Sequence, residues 1–407
     1  LVLIIVLEKL SLRQTTSTTT IQMNYFSSNF KLGILGGGQL GKMLLAETRK
    51  FDIQTYFLDP SMDAPCQFGA THFFIGDLLD YDTVYEFGKK VDVLTIEIEN
   101  VNLDALDKLE AEGLKVYPSP KTLRLIQNKG VQKDFYIENQ IPTAAFKRFN
   151  NLNKLRSEIE NGLIEMPFVW KCAQFGYDGN GVKIVRSVSD IENLPNVECI
   201  AEQMVPFKNE LAVIVARSVS GEVKTYPVVE MEFHPEANQV EYVICPARID
   251  FNIAKKANKI ALQVSQAYNH VGLLAVEMFQ THDEGILVNE VAPRPHNSGH
   301  YSIEASFTSQ FENHLRAILD LPLGNTASKV AGIMVNLVGA EGFSGTVVYE
   351  NIEKIMAIDG VIPHIYGKKE TRPFRKMGHV TIVNENMNEA RRIAEEVKNS
   401  IRVISTK

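Results

Sequence analysis

Cysteine is scarce and scattered: Cys66, Cys172, Cys199 and Cys245 stand far apart in 407 residues and form no C-x-x-C pair. That spacing excludes a zinc ribbon and a disulfide-stapled secreted scaffold, and it predicts reduced thiols in the cytoplasm. A cationic surplus is missing as well. Lys and Arg number 42 against 49 Asp and Glu, a net charge of −7, whereas a general nucleic-acid binder needs excess cations to neutralise phosphates. Any phosphate binding must therefore be local. No apolar run reaches the ~20 residues that cross a bilayer, and the longest, Leu1–Leu7, lacks a basic leader. Neither a nucleic acid nor a membrane is expected as a partner. What is present is ordinary: 45% hydrophobic and 22% charged residues, in a length that suits roughly two to three domains.

Residues 1–22 begin with Leu and run through a Ser/Thr-rich tract, so they are expected to be an extension ahead of a natural start at Met23. From Lys31 short apolar runs alternate with helical patterns: Leu32–Leu35, Gly41–Lys50, Thr55–Leu58, then Val91–Ile98. This predicts βαβ units on a parallel sheet over 31–120. Tyr117-Pro118-Ser119-Pro120 punctuates its end. The block 121–325 changes character, with one helix expected over Thr122–Asn139 and short strands such as Phe168–Lys171, Val213–Ala216 and Leu274–Phe279. It reads as α+β and largely antiparallel. A last segment, 326–407, carries strands near Ile333–Leu337 and His379–Val383, and a helix on which Ala390, Ile393, Val397 and Ile401 recur.

Gly36-Gly37-Gly38-Gln39-Leu40-Gly41 follows a strand and opens a helix in a G-x-G-x-x-G pattern, with Asp59 lying 18 residues beyond Gly41. Two readings stand together: a dinucleotide site of a dehydrogenase, or a tight turn that packs on the sheet. Glu97 and Glu99 fall at the end of the third strand, two apart, and are expected on one face of the ligand crevice, either facing a substrate or solvated.

In the middle block a strand ending at Lys171 leads into Gly176-Tyr177-Asp178-Gly179-Asn180-Gly181. A glycine loop beside a fixed cation suits phosphate, though it is not the G-x-x-x-x-G-K-[ST] loop, and a plain hairpin turn is the alternative. Glu277 and Glu290 are placed symmetrically about Asp283-Glu284. A hairpin centred there sets the two carboxylates opposite each other with Cβ atoms about 4.5–5.5 Å apart, where like charges repel unless a cation intervenes. Mg²⁺ fits, because it uses one or two carboxylates plus substrate phosphates, with Asn289 as a further oxygen donor. A register slip or one raised pKa would serve instead. The polar, proline-stiffened run Ala292-Pro293-Arg294-Pro295-His296-Asn297-Ser298-Gly299-His300 follows, and Lys368, Lys369, Arg372, Arg375 and Lys376 form a basic stretch. Both suit an anionic substrate or a solvated surface.

Together these residues resemble the ATP-grasp superfamily and, within it, the N5-carboxyaminoimidazole ribonucleotide synthetases. The resemblance rests on Ile34–Gly41, Glu97–Val101, Tyr117–Pro120, Gly176–Gly179, Asn289–His300 and Arg375–His379. It implies a Rossmann-like N-terminal domain, an ATP-grasp domain and a small C-terminal domain, thus α/β and α+β folds in one chain. ATP would be held by Lys129, Lys171, the loop Gly176, Tyr177, Asp178, Gly179, Asn180, Gly181 and Val182, the adenine-reading Glu202, Gln203, Met204 and Val205, and Glu210, His234, Asn289 and Glu290. Glu277 and Glu290 would carry Mg²⁺. Gly38, Gln39, Leu40, Glu97, Glu99, Tyr177, Arg294, His296, Asn297, Lys368, Arg375 and Lys376 would line the site for bicarbonate and 5-aminoimidazole ribonucleotide. Asp178, Arg294 and His296 are the implied catalytic residues, with Asp178 as proton acceptor. The resemblance further implies a homodimer, and a mutase acting on the unstable product.

Overall fold

The computed structural model of the chain describes residues 24–174, 181–234 and 239–406; the expected extension at 1–22 lies outside them. The N-terminal strands are β1 (Lys31–Leu35), β2 (Gln54–Asp59), β3 (His72–Ile75), β4 (Val93–Ile96) and β5 (Lys115–Tyr117). They form a parallel sheet in the order β3-β2-β1-β4-β5. Leu32, Ile34, Leu35, Val93 and Leu94 are fully buried, as central parallel strands must be when helices cover both faces. Those helices are α1 (Gln39–Lys50), α2 (Tyr81–Gly88) and α3 (Leu103–Ala111). The sequence reading missed β3 and β5, because one is a half-exposed edge of four residues and the other has only three.

The single helix expected over Thr122–Asn139 is two, α4 (Pro120–Gln127) and α5 (Lys129–Glu138). Asn128 breaks it by taking an extended conformation, and its side chain accepts from the N–H groups of Gly130 and Val131, a cap that starts a new helix and aims it afresh. Next come β6 (Phe146–Phe149), α6 (Leu152–Glu160), β7 (Phe168–Cys172), β8 (Val182–Val185) and β9 (Cys199–Gln203). These four strands make an antiparallel sheet in the order β6-β9-β7-β8.

The chain then enters a second, larger sheet through β10 (Phe207–Arg217), β11 (Val223–Thr225), β12 (Val229–Phe233) and β13 (Val240–Cys245). Helix α7 (Phe251–Tyr268) crosses it, and β14 (Gly272–Thr281) and β15 (Ile286–Ala292) form its end hairpin. Short α8 (Ser302–Ala305) and α9 (Gln310–Ile318) lead to β16 (Ala331–Val338), β17 (Gly345–Glu350), α10 (Ile352–Met356), β18 (Val361–Ile365), β19 (Glu370–Thr371), β20 (Lys376–Asn384), α11 (Met387–Ser400) and β21 (Arg402–Ser405). The main path of the large sheet runs β15-β14-β10-β12-β13-β16-β20-β18. The pairing of β13 with β16, Tyr242 opposite Val335, carries that sheet unbroken into the C-terminal segment. Helix α11 packs Ala390, Ile393, Ala394 and Val397 onto it, beside Val335, Val380 and Ile382. Among the described residues no helix is long and apolar enough to cross a membrane.

Candidate functional site

The two sheets of the middle block face each other across a cleft, and β14–β15 supplies one wall. Gln280 pairs with Ile286, Phe279 with Leu287 and Met278 with Val288; the register then shifts and Glu277 pairs with Glu290. The carboxylates are opposite each other, as counted from the sequence, through two departures that cancel. The turn has three residues rather than two: the N–H of Thr281 donates to the Gly285 carbonyl at 3.0 Å, and Glu284 takes the left-handed conformation at φ 61°, the usual way to close such a loop. A bulge at Asn289 makes up the lost residue. A bulge re-aims its strand, and here it lets consecutive side chains, Asn289 and Glu290, both meet lysines of the cleft while Val288 stays buried.

Those lysines come from the same side, since the Lys129 N–H donates to the Ala173 carbonyl, two residues past Lys171, at 2.8 Å. Lys171 on β7 donates to Asn289 Oδ1 at 2.9 Å, and Lys129, the first residue of α5, pairs with Glu290. Glu202 on β9 is only 3% exposed. Its Oε2 lies 2.8 Å from Lys171 Nζ and its Oε1 accepts from Lys133 Nζ at 2.6 Å. The carboxylate therefore faces inward and holds Lys171, while Gln203 ends β9 and Met204 and Val205 lead on toward β10. Burial drives the Glu202 carboxyl up, but the charges of Lys171 and Lys133 outweigh it and leave it below the ordinary carboxylate range. Lys133 was missed from sequence, although its position one helical turn after Lys129 was the available signal.

Electrostatics divide the facing pair. The charge of Lys129 holds Glu290 well below the usual range despite burial. Burial pushes Glu277 up, and the charges of Glu290 and Glu210 add to the push. Burial also raises Glu210, on the same wall, to about 7. Carboxylates kept apart in charge state by one another's fields are what a cation would relieve. Among the described residues no group of three or more His, Cys, Asp and Glu is placed to hold a metal. Two carboxylates and an amide oxygen fit an ion that completes its shell with nucleotide phosphates, as Mg²⁺ does.

The run after β15 folds back over this wall. His296 Nε2 lies 3.3 Å from Glu277 Oε1, and Arg294 Nε lies 2.9 Å from Glu99 Oε2, so the N-terminal sheet closes one end of the cleft. Asn297 exchanges amide hydrogen bonds with Asn336 on β16. In the C-terminal segment the charge of Lys376 reaches Glu277, and Lys368 Nζ donates to the Lys376 carbonyl at 2.7 Å. Arg375 donates to the Glu370 carbonyl on the exposed surface. His234 follows β12 and lies beside Phe374, with ring centroids 6.1 Å apart. Gly181 and Val182 lead into β8 opposite Lys171. Gly176, Tyr177, Asp178, Gly179 and Asn180 lie outside the described residues.

The glycine turn has its anion-binding N–H groups already occupied. Gly37 donates to Asp59 Oδ2 at 2.7 Å, Gly38 to Glu97 Oε1 at 2.6 Å and Gly41 to Glu97 Oε2 at 2.8 Å. The acid that would take a dinucleotide's ribose and the one that would abut its pyrophosphate are both spent on the turn itself, which disfavours the dehydrogenase reading. Glu97 thus sits at the N-terminus of α1, just beyond β4, and the charge of Arg294, which pairs with Glu99, reaches it as well. Gln39 opens α1, and the Leu40 side chain is buried in the core beside Leu44 and Phe57.

Residues 30–127 match the ribonucleotide synthetase preATP-grasp domain, 134–311 the ATP-grasp domain, and 332–393 the phosphoribosylaminoimidazole carboxylase C-terminal domain. The N5-carboxyaminoimidazole ribonucleotide synthase of Bacillus subtilis is 37% identical over 359 residues, covering 87% of this chain and 91% of that one. The chain belongs to the N5-carboxyaminoimidazole ribonucleotide synthase family. The crystal structure of the Thermotoga maritima synthetase superposes with a TM-score of 0.85 at 42% identity, covering 93% of this chain and all of that one (100%). The synthase of Aspergillus clavatus, solved with ADP and 5-aminoimidazole ribonucleotide, superposes with a TM-score of 0.82 at 33% identity, covering 92% and 99%. Against the phosphoribosylaminoimidazole carboxylase of Candida glabrata, the chain spans 64% of the relative's length. Membership of this family makes the fold an ATP-grasp domain between a preATP-grasp domain and a C-terminal domain.

Proposed function

We propose that the chain carboxylates 5-aminoimidazole ribonucleotide with ATP and bicarbonate, giving N5-carboxyaminoimidazole ribonucleotide in purine synthesis. The observation that carries this is the facing pair Glu277 and Glu290, flanked by Lys129 and Lys171 and opening onto Arg294, His296 and Asn297. The Aspergillus clavatus relative crystallised with ADP and the same ribonucleotide supports the substrate assignment.

A bicarbonate oxygen attacks the γ-phosphorus, the bond to the β–γ bridging oxygen breaks, and ADP leaves carboxyphosphate behind. The amine of the ribonucleotide then attacks the carboxyl carbon, the bond to the phosphate oxygen breaks, and the amine proton passes to a base. Asp178 is assigned that proton by the family resemblance. Mg²⁺, held by Glu277 and Glu290 and by phosphate oxygens, would supply charge neutralisation during phosphoryl transfer. Lys129 and Lys171 bind the phosphates from one wall, facing Glu290 and Asn289 on the other, and Glu202 holds Lys171 in place. Arg294 and His296 orient bicarbonate, with Glu97 and Glu99 behind them. Lys368, Arg375 and Lys376 hold the ribonucleotide phosphate. A cytoplasmic homodimer is the proposed working form, and a mutase that rearranges the unstable carbamate is its metabolic successor.

The test is ADP release from the purified chain with ATP, Mg²⁺ and bicarbonate. Addition of 5-aminoimidazole ribonucleotide is expected to accelerate it, and an unchanged rate would remove the proposal.

A further inference from the structure

His364 on β18, His379 on β20 and Asn336 on β16 are direct neighbours across three strands. Residues opposite each other in antiparallel pairs project from one face, and each of these meets a different residue of the segment following β15. Asn336 and Asn297 exchange hydrogen bonds of 2.9 and 3.0 Å. The His379 ring lies 4.8 Å from that of His300, and His364 Nε2 lies 2.8 Å from Glu304 Oε1. Positions 297, 300 and 304 are three and four apart, one side of a helical run. A single row of the sheet therefore grips a single face of this segment.

The middle of the row is a stack of rings. His364 and His379 lie 4.4 Å apart at 11° between planes, and Tyr366 Oη is 3.1 Å from His379 Nδ1. His300 and His379 are buried, and burial holds both well below the ordinary imidazole range. Rings stacked face to face point no N–H at one another, so the row serves packing. From His300 the connection returns to the cleft: Gln310 Nε2 lies 3.0 Å from His300 Nδ1 and donates to the His296 carbonyl at 2.7 Å, while Gln310 Oε1 accepts the His296 N–H at 2.9 Å. At the other end, β20 begins with Lys376. A register shift beside Leu337 separates it from His379, and Met377 is buried on the α11 side with Val380 and Ile382. The charge of Lys376 acts on both Glu277 and His300.

We propose that His379 is a positioning residue. Stacked between His364 and His300, it holds the segment bearing Arg294, His296 and Asn297 in register with Lys376, so that ribonucleotide bound by the C-terminal segment is sensed at Glu277. This rests on the reaction proposed above.

The full chain and two variants, His379→Leu and His379→Phe, are compared by initial rates of ADP release with saturating ATP, Mg²⁺ and bicarbonate, with and without 5-aminoimidazole ribonucleotide. His379→Leu should keep the amine-independent rate within about twofold, lose about tenfold of the stimulated rate and raise KM for the amine more than KM for ATP. His379→Phe, which keeps a flat ring, should recover most of the stimulation. Wild-type stimulation in His379→Leu, or proportional loss of both rates with no rescue by Phe, would overturn the proposal. If His379→Leu does not fold, His364→Leu at the outer end of the stack must show the same selective loss, and wild-type stimulation there would overturn it equally. A wild-type chain without stimulation removes the proposed reaction and this coupling together, whereas unaffected variants beside a stimulated wild type remove only the coupling.

Discussion

Glu202 holds two lysines with one carboxylate, and most of the electrostatics on its side of the cleft depends on it. Both oxygens are engaged, by Lys133 and by Lys171, at 3% exposure. Removing one partner of such a buried group leaves charge uncompensated, so Lys133→Met should lower stability by about 3 kcal/mol, read by urea unfolding. The pH dependence follows from the direction of the Glu202 shift. Its folded pKa lies below the ordinary 4.5, so its contribution is complete above that pH and is lost as pH falls through the folded value. Lys133→Met should flatten this acid limb, and an equally steep limb in the variant would contradict the assignment. Glu290→Gln tests the opposite wall. It relieves repulsion with Glu277 while removing an oxygen ligand, so the chain should stay folded and turnover should fall by about 100-fold or more. Near wild-type turnover would remove Glu290 from the metal assignment.

Elements were legible where the evidence for them was local. The β1–α1 unit could be read because buried parallel strands are short apolar runs and glycines mark the turn; the destination of Glu97 could not, since alternation along a strand says nothing once the strand ends at Ile96. The hairpin count placed Glu277 against Glu290 correctly, yet it missed both the longer turn and the bulge at Asn289, because bulges leave no hydrophobic signature. The break at Asn128 was hidden by helical periodicity continuing on both sides. Gly38→Ala probes the turn directly. A Cβ there would come within 2.4 Å of Glu97 Oε1, so the carboxylate must leave the α1 N-terminus, at a cost of about 1–3 kcal/mol in thermal or urea unfolding. A neutral substitution would show that Glu97 is not needed to close the turn.

At the scale of the molecule, three parts share surfaces instead of hanging from linkers. Leu32, Ile34 and Leu44 of the N-terminal unit join Phe311, Leu315 and Ile318 of α9 in one cluster, Thr95 Oγ1 meets His314 Nε2 at 3.0 Å, and Lys42 Nζ donates to the Ile365 carbonyl at 2.8 Å. None of these contacts was legible, since pairings over hundreds of residues leave no local pattern; the row joining β18, β20 and β16 to residues 297–304 was invisible for the same reason. Ligand binding should stabilise this joined structure by mass action, about 2.7 kcal/mol at a hundredfold excess over Kd. ADP with Mg²⁺ should therefore raise Tm, chelation of the ion should cancel part of the rise, and NAD should produce none. Stabilisation by NAD alone would restore the dinucleotide reading of the glycine turn. Crystals grown with Mg²⁺ and a nonhydrolysable ATP analogue address the facing glutamates themselves. The expected result is an ion about 2.1 Å from an oxygen of each of Glu277 and Glu290, with phosphate oxygens completing its shell. A bound nucleotide whose phosphates lie away from an ion-free, separated pair would contradict the proposed chemistry.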